Sequence, residues 1–360
     1  MMVKRALVLF VIWFSFLILS YIYLEDISLK LGSGTLGIFY TEFLVGLLPL
    51  LFYLVFWGRK NRSQGEDPYL YFLRVSFGYL WILDALLQMQ PGMNEYFVAT
   101  TIAPSTSAGG ITGYTASLAI SLWNLHPVVF DVLGSLTQLY IGAILLTSNS
   151  GKIYFWTQIL AISWGMVIWV FGEGFGGAFA SGATILTGFP GSVLIYVYVS
   201  LILLLSTKHR SDIIHKSSYF VGALIFISAL VVQLIPSNGY FSNMSTIYMQ
   251  MPSPAGILSF ANDFQYYFTH SPIWPDVLIV LLILVSVSGW LLGKSYGYIF
   301  SAVLAAFSWI VFQGLGALGI LSTDLNTGLP LLIISIFFYL WGKKFHTYAI
   351  GLGARHDMTP

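Results

Sequence analysis

Apolar residues in this chain come in blocks rather than in stripes. Ten blocks stand out, at 6–24, 39–57, 69–90, 118–147, 153–172, 190–206, 218–236, 273–292, 296–313 and 329–342. Runs of about 20 apolar residues predict helices that cross a bilayer. The fourth is long enough to be tilted or to begin above the hydrocarbon. The first, ALVLFVIWFSFLILSYIYL, follows Lys4 and Arg5 and has no small-residue cleavage site, so it reads as an uncleaved span rather than a signal peptide. The pattern predicts an all-α integral membrane protein of about ten transmembrane helices.

The polar segments between the blocks are sorted by charge. With the N-terminus inside, the inner segments are 1–5, 58–68, 148–152, 207–217, 293–295 and 343–360. Fourteen of the fifteen Lys and Arg residues lie in or beside them, and only Lys30 is outside. The positive-inside rule then places both termini in the cytoplasm of a multi-pass protein of the plasma membrane. The outer side carries two long loops, 91–117 and 237–272, and two Gly-rich ones, 173–189 and 314–328. Asn243, Met244 and Ser245 form a glycosylation sequon in one of them.

Two stretches at an offset of 140 repeat one another. Residues 169–190 read WVFGEGFGGAFASGATILTGFP and residues 309–330 read WIVFQGLGALGILSTDLNTGLP. They match at Trp169/Trp309, Gly174/Gly314, Gly176/Gly316, Thr187/Thr327, Gly188/Gly328 and Pro190/Pro330, and Glu173 falls on Gln313. At an offset of 145, Gln88 pairs with Gln233, Pro91 with Pro236 and Asp131 with Asp276. The chain therefore divides into two N-terminal helices (1–68), a first four-helix repeat (69–206), a diverged second repeat (218–342) and an inner tail (343–360). An even number of spans per repeat makes the copies parallel, related by an axis near the membrane normal.

Composition narrows the chemistry. Charged residues are 8% and hydrophobic ones 57%, against about 25% charged in a soluble domain. The net charge of +1 gives no bulk field for nucleic acid. There are no cysteines, which excludes disulfides, a thiolate nucleophile and Cys-held zinc or iron–sulfur clusters. Phosphate-loop, dinucleotide and metalloprotease motifs are absent, and no metal site is expected. A pairing of His126 with His270 across the pseudo-twofold is the weakest of the candidates.

The candidate site lies in the first repeat. Trp81, Asp84 and Gln88, at i, i+3 and i+7, share one helix face. Trp169 and Glu173 are spaced i, i+4, and His126 stands at the start of the fourth span. An ionisable residue within a span is costly in lipid, so Asp84 is expected to face the bundle interior. These residues predict an acidic, aromatic-walled pocket in which Glu173, Asp84 and His126 handle protons while Trp81, Gln88 and Trp169 hold the ligand. The second repeat carries Ala229, Gln313 and Ser271 at the places of Asp84, Glu173 and His126, which reads as one working site and one structural copy. The structural alternatives are helix capping and interhelical hydrogen bonds by Gln88 and Asp131, close helix packing by the glycines, and an interfacial aromatic belt.

The four-helix unit resembles the DoxX/DoxD-like family of small membrane proteins. The likeness rests on Arg74 opening the first helix in LRVSFGYLWILDALLQMQPGM, the outer loop that follows, and a helix pair broken by Gly-rich turns. It covers roughly residues 70–206, with a decayed echo over 218–342 in which Tyr219 replaces Arg74. That family includes a subunit of thiosulfate:quinone oxidoreductase. The resemblance implies a membrane subunit of a respiratory or sulfur-oxidising complex, with quinone as acceptor and with redox partner subunits at its outer face. Two other classes stand beside it: a non-catalytic anchor or assembly subunit, and a small-solute transporter.

Overall fold

The computed structural model describes residues 66–89, 93–180, 182–206, 211–235, 259–270, 273–316 and 322–356. The expected spans 6–24 and 39–57, Lys30, the sequon at Asn243 and most of the loop 237–272 lie outside the described residues. Every regular element among the described residues is helical. We number the α-helices α1 Pro68–Gln88, α2 Met93–Phe97, α3 Gly110–Trp123, α4 Pro127–Thr147, α5 Gly151–Val167, α6 Ser192–Ser206, α7 Ser211–Gln233, α8 Ser259–His270, α9 Ile273–Leu291, α10 Ser295–Phe307 and α11 Gly328–His356. Among the described residues five segments are long and apolar enough to cross a membrane: Pro68–Gln88, Pro127–Thr147, Gly151–Gly172, Ile273–Leu291 and Ser295–Phe312. The apolar stretches Ser192–Ser206, Tyr219–Gln233 and Gly328–Gly342, at the expected sixth, seventh and tenth spans, are shorter.

The expected fourth span, 118–147, is two helices rather than one. α3 ends at Trp123, and α4 starts at Pro127 with His126 in a non-helical conformation before it. Proline lacks an N–H and crowds the residue ahead of it, so the chain breaks there and restarts with Pro127 in the first turn.

α1 is the hub. Asp67 caps it by accepting from Tyr69 N at 2.8 Å, and from Leu73 to Gln88 nearly every residue is buried. A helix that is apolar all round belongs in an interior. It packs most extensively on α4 and also touches α6 and α11. Arg74 pins its first turns: its guanidinium forks onto Glu66 at 2.8 and 3.0 Å, donates to the Leu145 carbonyl of α4, and lies over the Tyr71 ring. In contrast, α4 and α5 present Val128, Val132, Leu133, Leu136, Ile153 and Trp156 to the outside, as helices facing an apolar surrounding do.

Neighbours follow one order in each half. α1–α4, α4–α5 and α5–α6 pack in the first, and α7–α9, α9–α10 and α10–α11 in the second. α5 ends in a π-helical turn, Ile168–Gly172, and α10 ends in another, Ser308–Phe312. The amide of Glu173 closes the first turn on Ile168 O at 2.9 Å, and that of Gln313 closes the second on Ser308 O at 3.0 Å. Positive-φ residues follow each: Gly174, Phe175, Gly176 and Gly177 at φ 54, 62, 64 and 74°, then Gly314, Leu315 and Gly316 at φ 53, 57 and 73°. The tryptophan of each turn donates its indole N–H to the returning loop, Trp169 to Pro190 O at 2.8 Å and Trp309 to Leu325 O at 2.9 Å.

Candidate functional site

A cavity of about 320 Å³ lies beside α1, bounded by α3, α4, the end of α5, the start of α6 and the segment 323–324. That is within the range of small-molecule sites. Trp81, Phe97, Trp123, Phe130, Trp164 and Phe171 form its aromatic wall. Among the described residues its polar lining is Asp84, Gln88, Thr101, Gln138, Glu173, Thr323 and Asp324, with three carboxyl groups and no lysine, arginine or histidine. Leu122, Phe130 and Val167 line it and are also exposed on the apolar surface.

Its polar groups are poorly paired by the protein. Trp81 Nε1, Asp84 Oδ1, Trp123 Nε1, Gln138 Oε1, Trp164 Nε1 and Glu173 Oε2 are all buried without a protein partner, and all six belong to residues of the lining. Leaving one such group unpaired costs roughly 1–3 kcal/mol. Three are N–H donors and three are carboxyl or amide oxygens.

Glu173 is placed by the π-turn that ends α5. Its Oε1 accepts from Ser192 Oγ at 2.7 Å and from Val193 N at 3.2 Å, at the start of α6. A carboxylate suits a helix N-terminus, where backbone N–H groups are free. Burial, and next the neighbouring Asp324, push its pKa up to about 8 despite those bonds. Asp324 is also pushed up by burial, against the backbone N–H of Asn326, which it accepts. Asp84 is 2% exposed and is approached by the Tyr196 side chain of α6 and the backbone of Leu325.

Four of the six residues expected at a site meet here: Trp81, Asp84, Gln88 and Glu173 all line this cavity. Gln88 also donates to Asp131 Oδ1 at 3.1 Å, bridging α1 to α4. Gln233 and Asp276 make the same kind of bridge in the second half, so this pair has a structural task in both. His126 does not join them: it stands exposed in the turn between α3 and α4, outside the lining. Trp169 is outside the lining too. Its N–H is bound to Pro190 O and its ring packs edge-on against Phe175 at 5.3 Å, so it braces the Gly-rich loop. His270, the other histidine of the supposed pair, contacts Tyr266 of its own helix, with Nδ1 2.9 Å from Tyr266 O. Among the described residues no group of three or more His, Cys, Asp or Glu is gathered for a metal ion.

Gln138, Trp164 and Asp324 are among the lining residues that were not expected. Asp324 had a signal in the sequence, as the sole ionisable residue of the second Gly-rich element, opposite Thr184 of the first. Comparison with models of known protein families, with characterised proteins and with solved structures gives no match for this chain.

Proposed function

We propose that this chain is the membrane subunit of a redox complex, and that its cavity takes the head group of a quinone and exchanges protons with it. The observation that carries the reading is an aromatic-walled cavity that has Asp84 and Glu173 in its lining and borders the apolar surface. A quinone is flat, dissolves in lipid and carries two carbonyl oxygens. The rings of Trp81, Trp123 and Trp164 in the lining suit its face. Reduction to quinol takes up two electrons and two protons. The electrons come from a partner subunit on this reading, and Asp84 and Glu173 are the groups placed to deliver protons. A carboxyl with a pKa of about 8 is protonated at neutral pH and poised to give its proton up.

The likeness to the DoxX/DoxD-like family supports the same class. Reading the halves as diverged copies of one four-helix unit is supported by their shared neighbour order, π-turns and left-handed residues. The distribution of lysine and arginine supports cytoplasmic termini in a plasma-membrane protein.

One observation favours a second reading, a small-solute transporter: the cavity is lined from both halves, since Thr323 and Asp324 come from the second. Sites at a repeat interface are a feature of such proteins. The two are separated by purifying the protein in mild detergent from its native membrane. The redox reading expects co-purification with a subunit carrying a haem, copper or sulfur centre and an absorbance spectrum to match. A lone, colourless protein that moves solute in vesicles contradicts it.

A further inference from the structure

What opens the cavity is the absence of two side chains. Gly134 of α4 and Gly172, the last residue of the first π-turn, both line it. Neither sits at positive φ, so the backbone at both places accepts any side chain. A Cβ on Gly134 would lie 3.5 Å from Trp164, and one on Gly172 would lie 3.3 Å from Ile168. Trp164 and Ile168 line the cavity too, so a side chain at either glycine would grow into it.

The second half fills the same two places. The pairing of Asp131 with Asp276 at an offset of 145 sets Ile279 where α4 has Gly134, and the matching π-turns set Phe312 where the first half has Gly172. Ile279 and Phe312 are each 1% exposed. Phe312 packs edge-on against Phe268 of α8 at 5.1 Å and against Phe307 at 5.6 Å. Ile283, fully buried, stands where the cavity has Gln138. A hole in an otherwise packed interior costs stability, and the second half shows that this arrangement of helices can close it.

The hole is reached from the side. Leu122 of α3, Phe130 of α4 and Val167 of α5 line it and are 45%, 36% and 44% exposed on the apolar surface. Trp81 and Asp84, on the α1 wall, are 1% and 2% exposed. Three carboxyl groups and no positive side chain among the described lining residues suit a neutral occupant rather than an anion. We propose that Gly134 and Gly172 are the specificity-determining residues of this cavity. By leaving out two side chains they admit a flat, neutral ring from the bilayer through the gap framed by Leu122, Phe130 and Val167, and Ile279 and Phe312 keep such a ring out of the second half.

The assignment rests on the cavity being a site for a ring drawn from lipid, as proposed above, but its test needs no quinone and no partner subunit. The full chain in lipid nanodiscs is illuminated with trifluoromethyl phenyl diazirine, a small aromatic that partitions into lipid and inserts into whatever it touches. The labels are mapped by mass spectrometry. In the parent, label is expected on Trp81 and Asp84 as well as on the outward residues Val132 and Leu136; an α1 without label overturns entry from the side. Gly134→Ile and Gly172→Phe are each expected to cut the label on Trp81 and Asp84 by about tenfold or more, the scale of forcing a ring into filled space. Label on Val132 and Leu136 stays as it was. The melting temperature stays level or rises, since space is filled and a glycine leaves a helix. Undiminished label in both variants overturns the proposal, and so does a loss of label that comes with a lower melting temperature, which marks distortion instead of filling. If the large residues prevent folding, Gly134→Ala and Gly172→Ala serve, with a fall of about threefold expected for one methyl group; unchanged label there overturns the proposal equally. If the diazirine behaves as expected and a short-chain quinone does not displace it, the two glycines keep their role and the quinone reading alone falls.

Discussion

Glu173 and Gln313 stand one residue beyond matching π-turns, and each reaches the start of the helix that follows. Gln313 satisfies its whole amide. Its Oε1 accepts from Gly328 N at 2.8 Å, and its Nε2 lies 2.6 Å from Ser308 Oγ and 3.3 to 3.4 Å from the carbonyls of Leu186 and Ile185. Glu173 has the same reach and no hydrogen to donate while ionised, and its Oε2 stays unpaired beside a cavity. An amide carries a donor and an acceptor and can close a buried network, whereas a carboxylate is an acceptor only. The same backbone therefore carries a fastener in one half and a cavity-lining acid in the other. The fastener also works across the boundary, because the carbonyls it binds belong to the loop of the first half, while the loop of the second half delivers Asp324 to the cavity.

That contrast breaks first at Glu173. On the proposed reading Glu173→Gln lowers quinone-linked turnover by about 100-fold or more, the usual scale for losing a positioned proton donor. The folded yield, measured by gel filtration in detergent, stays unchanged. Turnover that survives the substitution at every pH removes Glu173 from proton handling.

The glycines test whether the two ends are structurally equal. A Cβ on Gly176 would lie 1.9 Å from Pro190 O, and one on Gly316 would lie 2.2 Å from the Leu325 carbonyl carbon, both at positive φ. Gly176→Ala and Gly316→Ala are each expected to destabilise the fold by roughly 3 kcal/mol. Thermal unfolding in detergent measures both. Sensitivity at only one of them denies that the two turns are equivalent.

Gln313→Glu makes the second half resemble the first. It takes the hydrogens away from Ser308, Ile185 and Leu186 and sets a carboxylate against two carbonyls. At neutral pH the expected cost is about 2 kcal/mol. Acidification restores a hydrogen to the side chain, so the melting temperature is expected to recover as pH falls. A variant as stable as the parent at neutral pH shows that the network around Gln313 is not what fastens the halves.

The pH dependence of the parent tests the Glu173 side alone. Glu173 has its pKa raised from 4.5 to about 8 in the fold. The folded state therefore holds the proton more tightly than the unfolded chain. Its contribution is fully present below about pH 4.5, declines as pH rises and is gone above about pH 8. The melting temperature of the parent is expected to fall over that window, and that of Glu173→Gln to fall less. Parallel curves contradict the raised pKa.

Much of the cavity lining was legible because it is local. Trp81, Asp84 and Gln88 share a face at i, i+3 and i+7, and a helix keeps that face together wherever it packs. Glu173 was legible through its replacement by Gln313. What the sequence hid is tertiary. Gln138 and Trp164 sit in helices whose apolar context gives no sign of which turn meets the cavity. Asp324 comes from the other half, across a distance in sequence that no local pattern spans. His126 and Trp169 show the reverse error. Both are near candidates along the chain, but Pro127 leaves His126 in an exposed turn, and the loop draws the indole N–H of Trp169 to Pro190 O. The long fourth block shows how one proline splits a continuous apolar run into two helices.

The central claim is that the Glu173 half holds a quinone and the Gln313 half does not. A photoreactive short-chain quinone, cross-linked to the purified full chain in nanodiscs and mapped by mass spectrometry, tests it most directly. The account predicts labels on the peptides that carry Trp81, Phe97, Trp123 and Phe171, displaced by unlabelled quinone, and none around Gln313. Labels that no competitor displaces, or that fall equally on both halves, contradict it.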